Sequence, residues 1–171
     1  MLVDNYIQGS SFTPPHKTQF IRWQSPTPGT VKLKFDGSLQ GNSAAGRFII
    51  RDWRGEILEM GASNYGNTSV ILAESRAFRD GLGAALKSGF YRLVIEGDNS
   101  MIIGAFNKEL EVPWCIKTVM QDIQVLAQQT HFIQVIHIYR EANMAADWLS
   151  KFGHSITDTW HSTHCDSLDL K

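Results

Sequence analysis

Four acidic residues stand where folding alone gives little reason for a carboxylate. Asp36 ends an alternating apolar run, and Asp98 ends a second one further along the chain. Glu74 shares a helical stripe with large apolar side chains, and Asp147 lies near the start of a last predicted helix. Acids at strand ends beside helix starts come together in α/β sheets, and an oxygen-only donor set suits Mg²⁺ or Mn²⁺. The pattern therefore predicts a divalent-metal site.

Each of these acids also has an ordinary structural explanation. Asp36 precedes Gly37, as turn residues often do. Asp98 precedes Asn99 and is suited to cap a helix. Asp147 falls on the side of its helix away from the apolar residues, as a solvated acid does. Taken singly, these explanations are at least as good as a metal site, and only the convergence of the acids favours chemistry.

The first acid lies in a predicted antiparallel meander. Residues 31–36 alternate between apolar and polar types, which predicts a half-buried strand. A turn at Gly41-Asn42 leads to a second strand at 46–52, and the turn at Arg54-Gly55 leads to a third at 56–62. Three short strands joined by tight turns pair with their neighbours in sequence.

The second acid lies on a predicted buried helix. Residues 69–87 are rich in Ala and Leu, lack proline and end at Ser88-Gly89, a common helix stop. Apolar residues occur on more than one side, which is typical of a central helix. Because an unpaired carboxylate is unfavourable there, Glu74 is open to a second interpretation as the partner of Arg51 or Arg76.

The remaining acids, Asp98 and Asp147, lie in a part of the chain where predicted strands and helices alternate. The spacing of apolar residues predicts a strand at 92–97, a helix at 100–107 and a second helix that begins at Pro113. It also predicts a strand at 132–139 and a final helix at 143–152. A meander followed by helix-linked strands predicts an α/β fold with a mixed five-stranded sheet flanked by helices.

The stretch from Trp23 to Phe152 resembles the type 1 ribonuclease H domain, and most closely the branch of plant non-LTR retroelements and stand-alone plant proteins. The resemblance covers about three quarters of the chain. It rests on an ordered set of short motifs: DGS at 36–38, AE at 73–74, GD at 97–98 and N-x-x-x-D at 143–147. Single pairs of this kind mean little, but the set in this order and on these elements is specific.

The resemblance implies that the chain hydrolyses the RNA strand of RNA–DNA hybrids with two Mg²⁺ ions, for which Mn²⁺ is a possible substitute. The family's four metal ligands fall on Asp36, Glu74, Asp98 and Asp147. By the same resemblance Asp36 bridges the ions, Asp147 lies on the attacking-water side, and Glu74 and Asp98 lie on the leaving-group side. An alternative is a catalytically inactive module of the same fold that binds nucleic acid, or a decayed retroelement fragment.

Substrate contacts are also implied by the resemblance. In the family, the loop that matches Gly41, Asn42 and Ser43 contacts the RNA strand, and Gly37, Ser38 and Asn143 are further candidate contacts. Many relatives also use a mobile histidine between the last strand and the last helix. His137 matches it by counting, whereas the short connecting loop favours Arg140, as an electrostatic aid to phosphate or product.

Charge does not exclude a nucleic-acid partner. The chain has 16 basic and 17 acidic residues, and setting aside four metal-bound carboxylates leaves thirteen acids against the sixteen bases. A local positive field can therefore depend on bound metal. Arg47, Arg51 and Arg54 are interpreted as a solvated strand edge.

Composition narrows the remaining possibilities. No apolar run is long enough to cross a membrane, the N-terminal residues do not resemble a secretory signal, and two cysteines fifty residues apart form neither a disulfide framework nor a zinc motif. We expect an intracellular monomer, nuclear or cytoplasmic. Residues 1–30 are predicted to be a flexible lead-in, residues 31–153 the ribonuclease H-like domain and residues 154–171 a tail.

Overall fold

The computed structural model describes residues 23–140 and 159–163. The elements run in the order β1 (Val31–Gln40), β2 (Ser43–Arg51), β3 (Ile57–Gly66), α1 (Val70–Lys87), β4 (Arg92–Gly97), α2 (Ser100–Phe106), a short 3₁₀ turn (Trp114–Ile116), α3 (Lys117–Ala127), β5 (Phe132–His137) and β6 (Thr159–Thr163). The predicted last helix at 143–152 lies outside the described residues. Among the described residues, no helix combines the length and the apolarity needed to cross a bilayer.

The strands form one mixed sheet in the order β5-β4-β1-β2-β3-β6. The meander β1-β2-β3 is antiparallel, whereas β4 pairs in parallel with both β1 and β5. This confirms the predicted α/β fold with a mixed sheet.

The predicted strand count of five is wrong, because residues 23–140 and 159–163 already form a sheet of six strands. The extra strand, β6, pairs antiparallel with the otherwise open edge of β3. It lies in the segment that the sequence analysis assigns to a tail. Its sequence, TWHST, is short and mostly polar, so it carries no apolar alternation, although β-branched and aromatic residues suit a strand that gains its partners from an existing edge.

The main core lies between the sheet and the helices. Phe35 of β1 stacks on Phe78 of α1 with ring centroids 4.8 Å apart, and Phe78 also contacts Phe106 of α2 at 5.5 Å. Leu33 and Ile95, from the adjacent strands β1 and β4, are fully buried in the same cluster. Burial of this apolar surface holds α1 against β1. Because Glu74 lies on α1, the same packing determines its position.

The chain before β1 packs against a buried charged residue of the sheet. Lys32 forms an ion pair with Glu96 of β4 and also donates to the backbone carbonyl of Gln24. Its ammonium lies 5.6 Å from the centre of the Trp23 ring. These contacts supply the partners that a buried lysine requires.

A second buried acid ties β6 to the rest of the fold. Glu59 of β3 is 2% exposed, and its carboxylate accepts hydrogen bonds from His161 of β6 and, at 2.9 Å, from the hydroxyl of Ser88. His161 also lies against Phe48, with ring centroids 6.0 Å apart. The contact supplies a specific reason for β6 to dock where it does.

We expect His161→Ala to lower the free energy of unfolding by about 1–2 kcal/mol, because a buried carboxylate loses one of its donors. Urea unfolding followed by circular dichroism measures the change. Thr163→Ala, an exposed position on the same strand, is the matched control and should change stability little. Equal losses in the two variants would show that strand pairing, and not the Glu59 contact, holds β6.

Candidate active site

Three of the four predicted carboxylates meet at one place. Asp36 lies on β1, Asp98 directly follows β4, and Glu74 projects from α1. One carboxylate oxygen from each lies within 4.8 Å of the other two. β1 and β4 are parallel neighbours, so the two aspartates come from adjacent strands. The fourth acid, Asp147, lies outside the described residues, as does Asn143.

Two glycines allow this close approach. A Cβ at Gly37 would lie 2.6 Å from Cγ of Glu74 and 2.8 Å from its backbone nitrogen, so a larger residue would push α1 away from β1. A Cβ at Gly97 would collide with the ring of Phe35. The glycine next to each aspartate therefore lets the elements pack closely enough for the acids to meet.

Asp36 is held at both of its carboxylate oxygens. The backbone amide of Gly37 donates to Oδ1 at 2.9 Å, and Nη2 of Arg47 pairs with Oδ2. Burial raises the pKa of Asp36 above its ordinary value, and Asp98 adds to the increase, whereas the charge of Arg47 opposes it. The predicted strand end at Asp36 is also corrected, because β1 continues to Gln40.

Glu74 is a buried acid held by an amide. It is 7% exposed, and Nδ2 of Asn99 donates to its Oε2. Neither alternative arginine partner is used: Arg51 donates to the carbonyl of Gly55 at 3.0 Å, and Arg76 lies 5.5 Å from the centre of the Tyr65 ring. Burial, with smaller contributions from Asp36 and Asp98, raises the pKa of Glu74 from 4.5 to about 7.

Asn99 links this site to a helix start. Its Oδ1 accepts from the backbone amides of Met101 and Ile102 at 3.1 and 3.3 Å, which caps α2, while its Nδ2 holds Glu74. The capping role predicted as an alternative for Asp98 therefore belongs to its neighbour. The carboxylate of Asp98 takes part in the acidic cluster.

The raised pKa of Glu74 predicts an unusual pH dependence of stability. An acid whose folded-state pKa is raised favours the fold while protonated; this contribution is complete below pH 4.5 and is lost as the pH rises through about 7. In EDTA at about pH 8, Glu74→Gln should therefore be more stable than the wild type by roughly 2–3 kcal/mol.

Urea unfolding at several pH values checks this expectation. The gain should shrink as the pH falls and disappear near the ordinary pKa of a glutamate. Glu56→Gln, at an exposed position, provides the matched control and should follow the wild type. A Glu74→Gln profile parallel to that of the wild type would show that the buried carboxyl does not titrate in this range.

The two basic candidates lie at the end of β5. His137, the last residue of that strand, is exposed, and its Nε2 lies 3.2 Å from the backbone carbonyl oxygen of Asp98. Arg140 is exposed, and its positive charge lowers the pKa of both Asp36 and Glu74. Both groups are therefore near the acidic cluster.

The predicted substrate contacts divide into two places. Gly37 and Ser38 follow Asp36 on β1 and are half-buried. Gly41 and Asn42 form the exposed turn between β1 and β2, and the hydroxyl of Ser43 donates to Oδ1 of Asn64 at 3.1 Å.

Arg47 is a site residue that the sequence analysis missed. It was interpreted as part of a solvated strand edge, but it is 6% exposed and pairs with Asp36. The length of the turn in the first hairpin could have indicated the position of Arg47. A two-residue turn at Gly41-Asn42 pairs Gln40 with Ser43 and, counting outward, Asp36 with Arg47, which is the register observed.

The donor set of the cluster fits a hard divalent cation. The three converging side chains offer only carboxylate oxygens, which is the set that Mg²⁺ and Mn²⁺ prefer. Three acids in one partly buried place repel one another, and the raised pKa values of Asp36 and Glu74 express that repulsion together with burial. A cation would relieve both effects.

Comparison with known proteins agrees with this geometry. A family model described as reverse transcriptase-like matches residues 34–153. An Arabidopsis thaliana protein named "Putative ribonuclease H protein At1g65750" is 29% identical over 154 residues, which make up 88% of this chain and 24% of that protein. The chain therefore spans about a quarter of the length of this relative.

Solved structures show the same fold. RNase H1 of the halophilic archaeon Halobacterium salinarum NRC-1 superposes with a TM-score of 0.69 at 23% identity, over 73% of this chain and 97% of its own. LC11-RNase H1, isolated from compost and solved in complex with an RNA/DNA hybrid, gives 0.65 at 22% identity, over 70% and 92%. The predicted resemblance to ribonuclease H domains is confirmed.

Proposed function

The chain belongs to the reverse transcriptase-like family, and on that basis we propose that it is a metal-dependent endonuclease that hydrolyses the RNA strand of RNA–DNA hybrids. One observation carries the proposal: carboxylate oxygens of Asp36 on β1, Glu74 on α1 and Asp98 after the end of β4 converge within 4.8 Å, and β1 and β4 are adjacent parallel strands. A solved relative bound to an RNA/DNA hybrid supports the choice of substrate.

The converging acids would hold Mg²⁺, or Mn²⁺ in its place, and we propose Asp147 as a fourth ligand. When bound, a pair of such ions activates water and stabilises the leaving 3′-oxygen in phosphodiester hydrolysis. Products with 3′-hydroxyl and 5′-phosphate ends follow from that chemistry.

The chain's own contribution is to hold its acids in place before the substrate arrives. The Gly37 amide orients Asp36, and the Asn99 amide orients Glu74. Both acids stand on regular elements packed against one core, which restricts their movement more than a loop would. Positioning of this kind lowers the barrier because little reorganisation is needed during the reaction.

The proposed contacts to the RNA strand lie beside these acids. Ser38 and Gly37 follow Asp36 directly, and the exposed Gly41-Asn42 turn closes the same hairpin. Backbone and small polar groups can contact 2′-hydroxyls, the groups that distinguish RNA from DNA. We propose Ser43 and Asn143 as further contacts.

A direct cleavage assay tests the proposed function. An RNA strand labelled at one end and paired with DNA should be cut in Mg²⁺, should remain intact in EDTA, and should be cut again when Mg²⁺ or Mn²⁺ is restored. A protein that is stabilised by metal and binds the hybrid, yet never cuts it, would instead be the inactive binding module named above.

We also propose that Arg140, and not His137, assists the reaction. Its charge acts on the acids, because it opposes the rise that burial causes in the pKa of Asp36 and of Glu74. Arg140→Ala should lower turnover about tenfold and leave the metal-induced rise in melting temperature unchanged. His137→Ala should keep turnover within about twofold of the wild type, because its side chain would then take no part in the proton transfers of the reaction.

The pH–rate profiles of the two variants decide between the candidates. A histidine that carries a proton changes charge near its unperturbed pKa of about 6.5, so its loss would reshape the profile there. A collapsed rate in His137→Ala, together with an altered profile and an unchanged melting temperature, would transfer the role to His137.

A further inference from the structure

Arg47 is a buried cation that pairs with Asp36, and the register of the hairpin brings the two residues together. The two-residue turn fixes the register, which puts Arg47 directly opposite Asp36 on the neighbouring strand. Its side chain is 7% exposed and its neighbours Gly46 and Phe48 are buried. The guanidinium therefore cannot exchange its partner for water without a rearrangement of the site.

The ion pair uses a group that a metal ion would also need. Both oxygens of Asp36 already accept from protein donors, Oδ1 from the Gly37 amide and Oδ2 from Arg47. A charge-assisted hydrogen bond to a carboxylate is among the stronger polar contacts in proteins. A divalent cation at Asp36 must break this contact or share the carboxylate with a positive charge a few ångströms away, and both are unfavourable.

We propose that Arg47 competes with the divalent cation for Asp36 and thereby sets the metal concentration at which the site fills. In the metal-free protein Arg47 supplies the positive charge that the buried acid needs, and the cation replaces it as the concentration rises. The inference rests on the proposed metal-dependent function, because it assumes that Asp36 is a metal ligand.

A direct measurement of metal binding tests this without any cleavage reaction. Titration calorimetry with Mn²⁺ is performed on the wild type, on Arg47→Met and on Arg47→Gln, at about pH 8 so that the ligands are deprotonated. Removal of the competing charge should lower the Kd for Mn²⁺ about tenfold in both neutral variants. Arg47→Gln keeps a neutral donor near Asp36 and serves if the methionine variant does not fold.

Arg51→Met is the matched control. It removes the same charge from the same strand, but Arg51 donates to the carbonyl of Gly55 and not to the acidic cluster. Its Kd should remain within about twofold of the wild type, since separated charges at a surface interact weakly. If both arginine substitutions tightened binding equally, general charge repulsion would explain the effect and the proposal would fail.

Thermal melting supplies a second readout. Without metal, Arg47→Met should melt below the wild type, because Asp36 stays buried without its cation. Saturating Mn²⁺ should then raise its melting temperature by more than it raises that of the wild type. A Kd for Mn²⁺ that is unchanged or weaker in both neutral variants would overturn the proposal.

The two proposals fail in different ways. If the wild type cuts the hybrid but the Kd of the Arg47 variants does not fall, only the competition is wrong. If Mn²⁺ binds more tightly to the variants but no protein cuts the hybrid, the competition holds and the proposed nuclease function is wrong. If the wild type and all variants bind no Mn²⁺, both proposals fail.

Discussion

Asp36→Asn should lose hybrid cleavage by at least about a thousandfold, and with it most of the rise in melting temperature that Mg²⁺ gives the wild type. Asp36 belongs to the cluster of three converging acids and is the acid that Arg47 pairs with. An amide has nearly the same shape but no charge, so the fold should be kept while affinity for a cation falls. Cleavage rates and melting curves with and without Mg²⁺ measure the two effects.

Asp122→Asn is the matched control for this variant. Asp122 lies on α3, more than half exposed, and its nearest ionic partner is Arg79 at 3.8 Å. The same chemical change should leave both cleavage and metal stabilisation close to wild type, because an exposed ion pair contributes little. An Asp36→Asn protein that Mg²⁺ stabilises as much as the wild type would contradict the shared metal site.

The elements that show a regular spacing of apolar residues could be predicted from the sequence. The alternation at 31–36 and the turn at Gly41-Asn42 predicted the first hairpin, and the Ala- and Leu-rich run predicted α1, which begins at Val70. Such patterns are informative because burial of one face determines the period. The convergence of Asp36, Glu74 and Asp98 was predicted from the placement of acids at strand ends beside helix starts, and the resemblance added their roles as metal ligands.

The missed features depend on partners that are distant in sequence. β6 is a strand because the edge of β3 is available to it, and nothing within TWHST indicates that edge. Alternation predicts a solvated Arg47 because it shows that every second residue of a strand shares a face, but not whether water covers that face. Only the cross-strand register, combined with a buried acid opposite, shows that Arg47 is internal.

Asn99 illustrates a third reason why the sequence predicts the site only in part: one side chain can have two roles. The sequence suggested Asp98 as a helix cap, whereas the structure has its neighbour Asn99 as the cap of α2. The same side chain also donates to Glu74, 25 residues earlier in the chain. One amide can perform both roles because its oxygen accepts while its nitrogen donates, but only the packing of α1 beside the start of α2 brings the second partner within reach.

The preference for an RNA–DNA hybrid over a DNA duplex should also be large. We expect the RNA strand of a hybrid to be cut at least about a hundredfold faster than either strand of a DNA duplex of the same sequence, because 2′-hydroxyls are what distinguish the two strands. The proposed contacts, Ser38 and the turn at Gly41-Asn42, are small enough to approach the sugar edge closely.

Replacement of single ribonucleotides shows which 2′-hydroxyls cleavage requires. Deoxyribonucleotides introduced one at a time into the RNA strand should suppress cleavage at the neighbouring bonds and leave distant bonds unaffected, since each 2′-hydroxyl acts where it is contacted. The control is the unsubstituted RNA strand paired with the same DNA strand. Product lengths on a sequencing gel show which bonds are cut. Comparable cleavage of the DNA duplex would instead indicate a nuclease of the same fold that recognises the phosphate backbone, because phosphate contacts alone do not distinguish RNA from DNA.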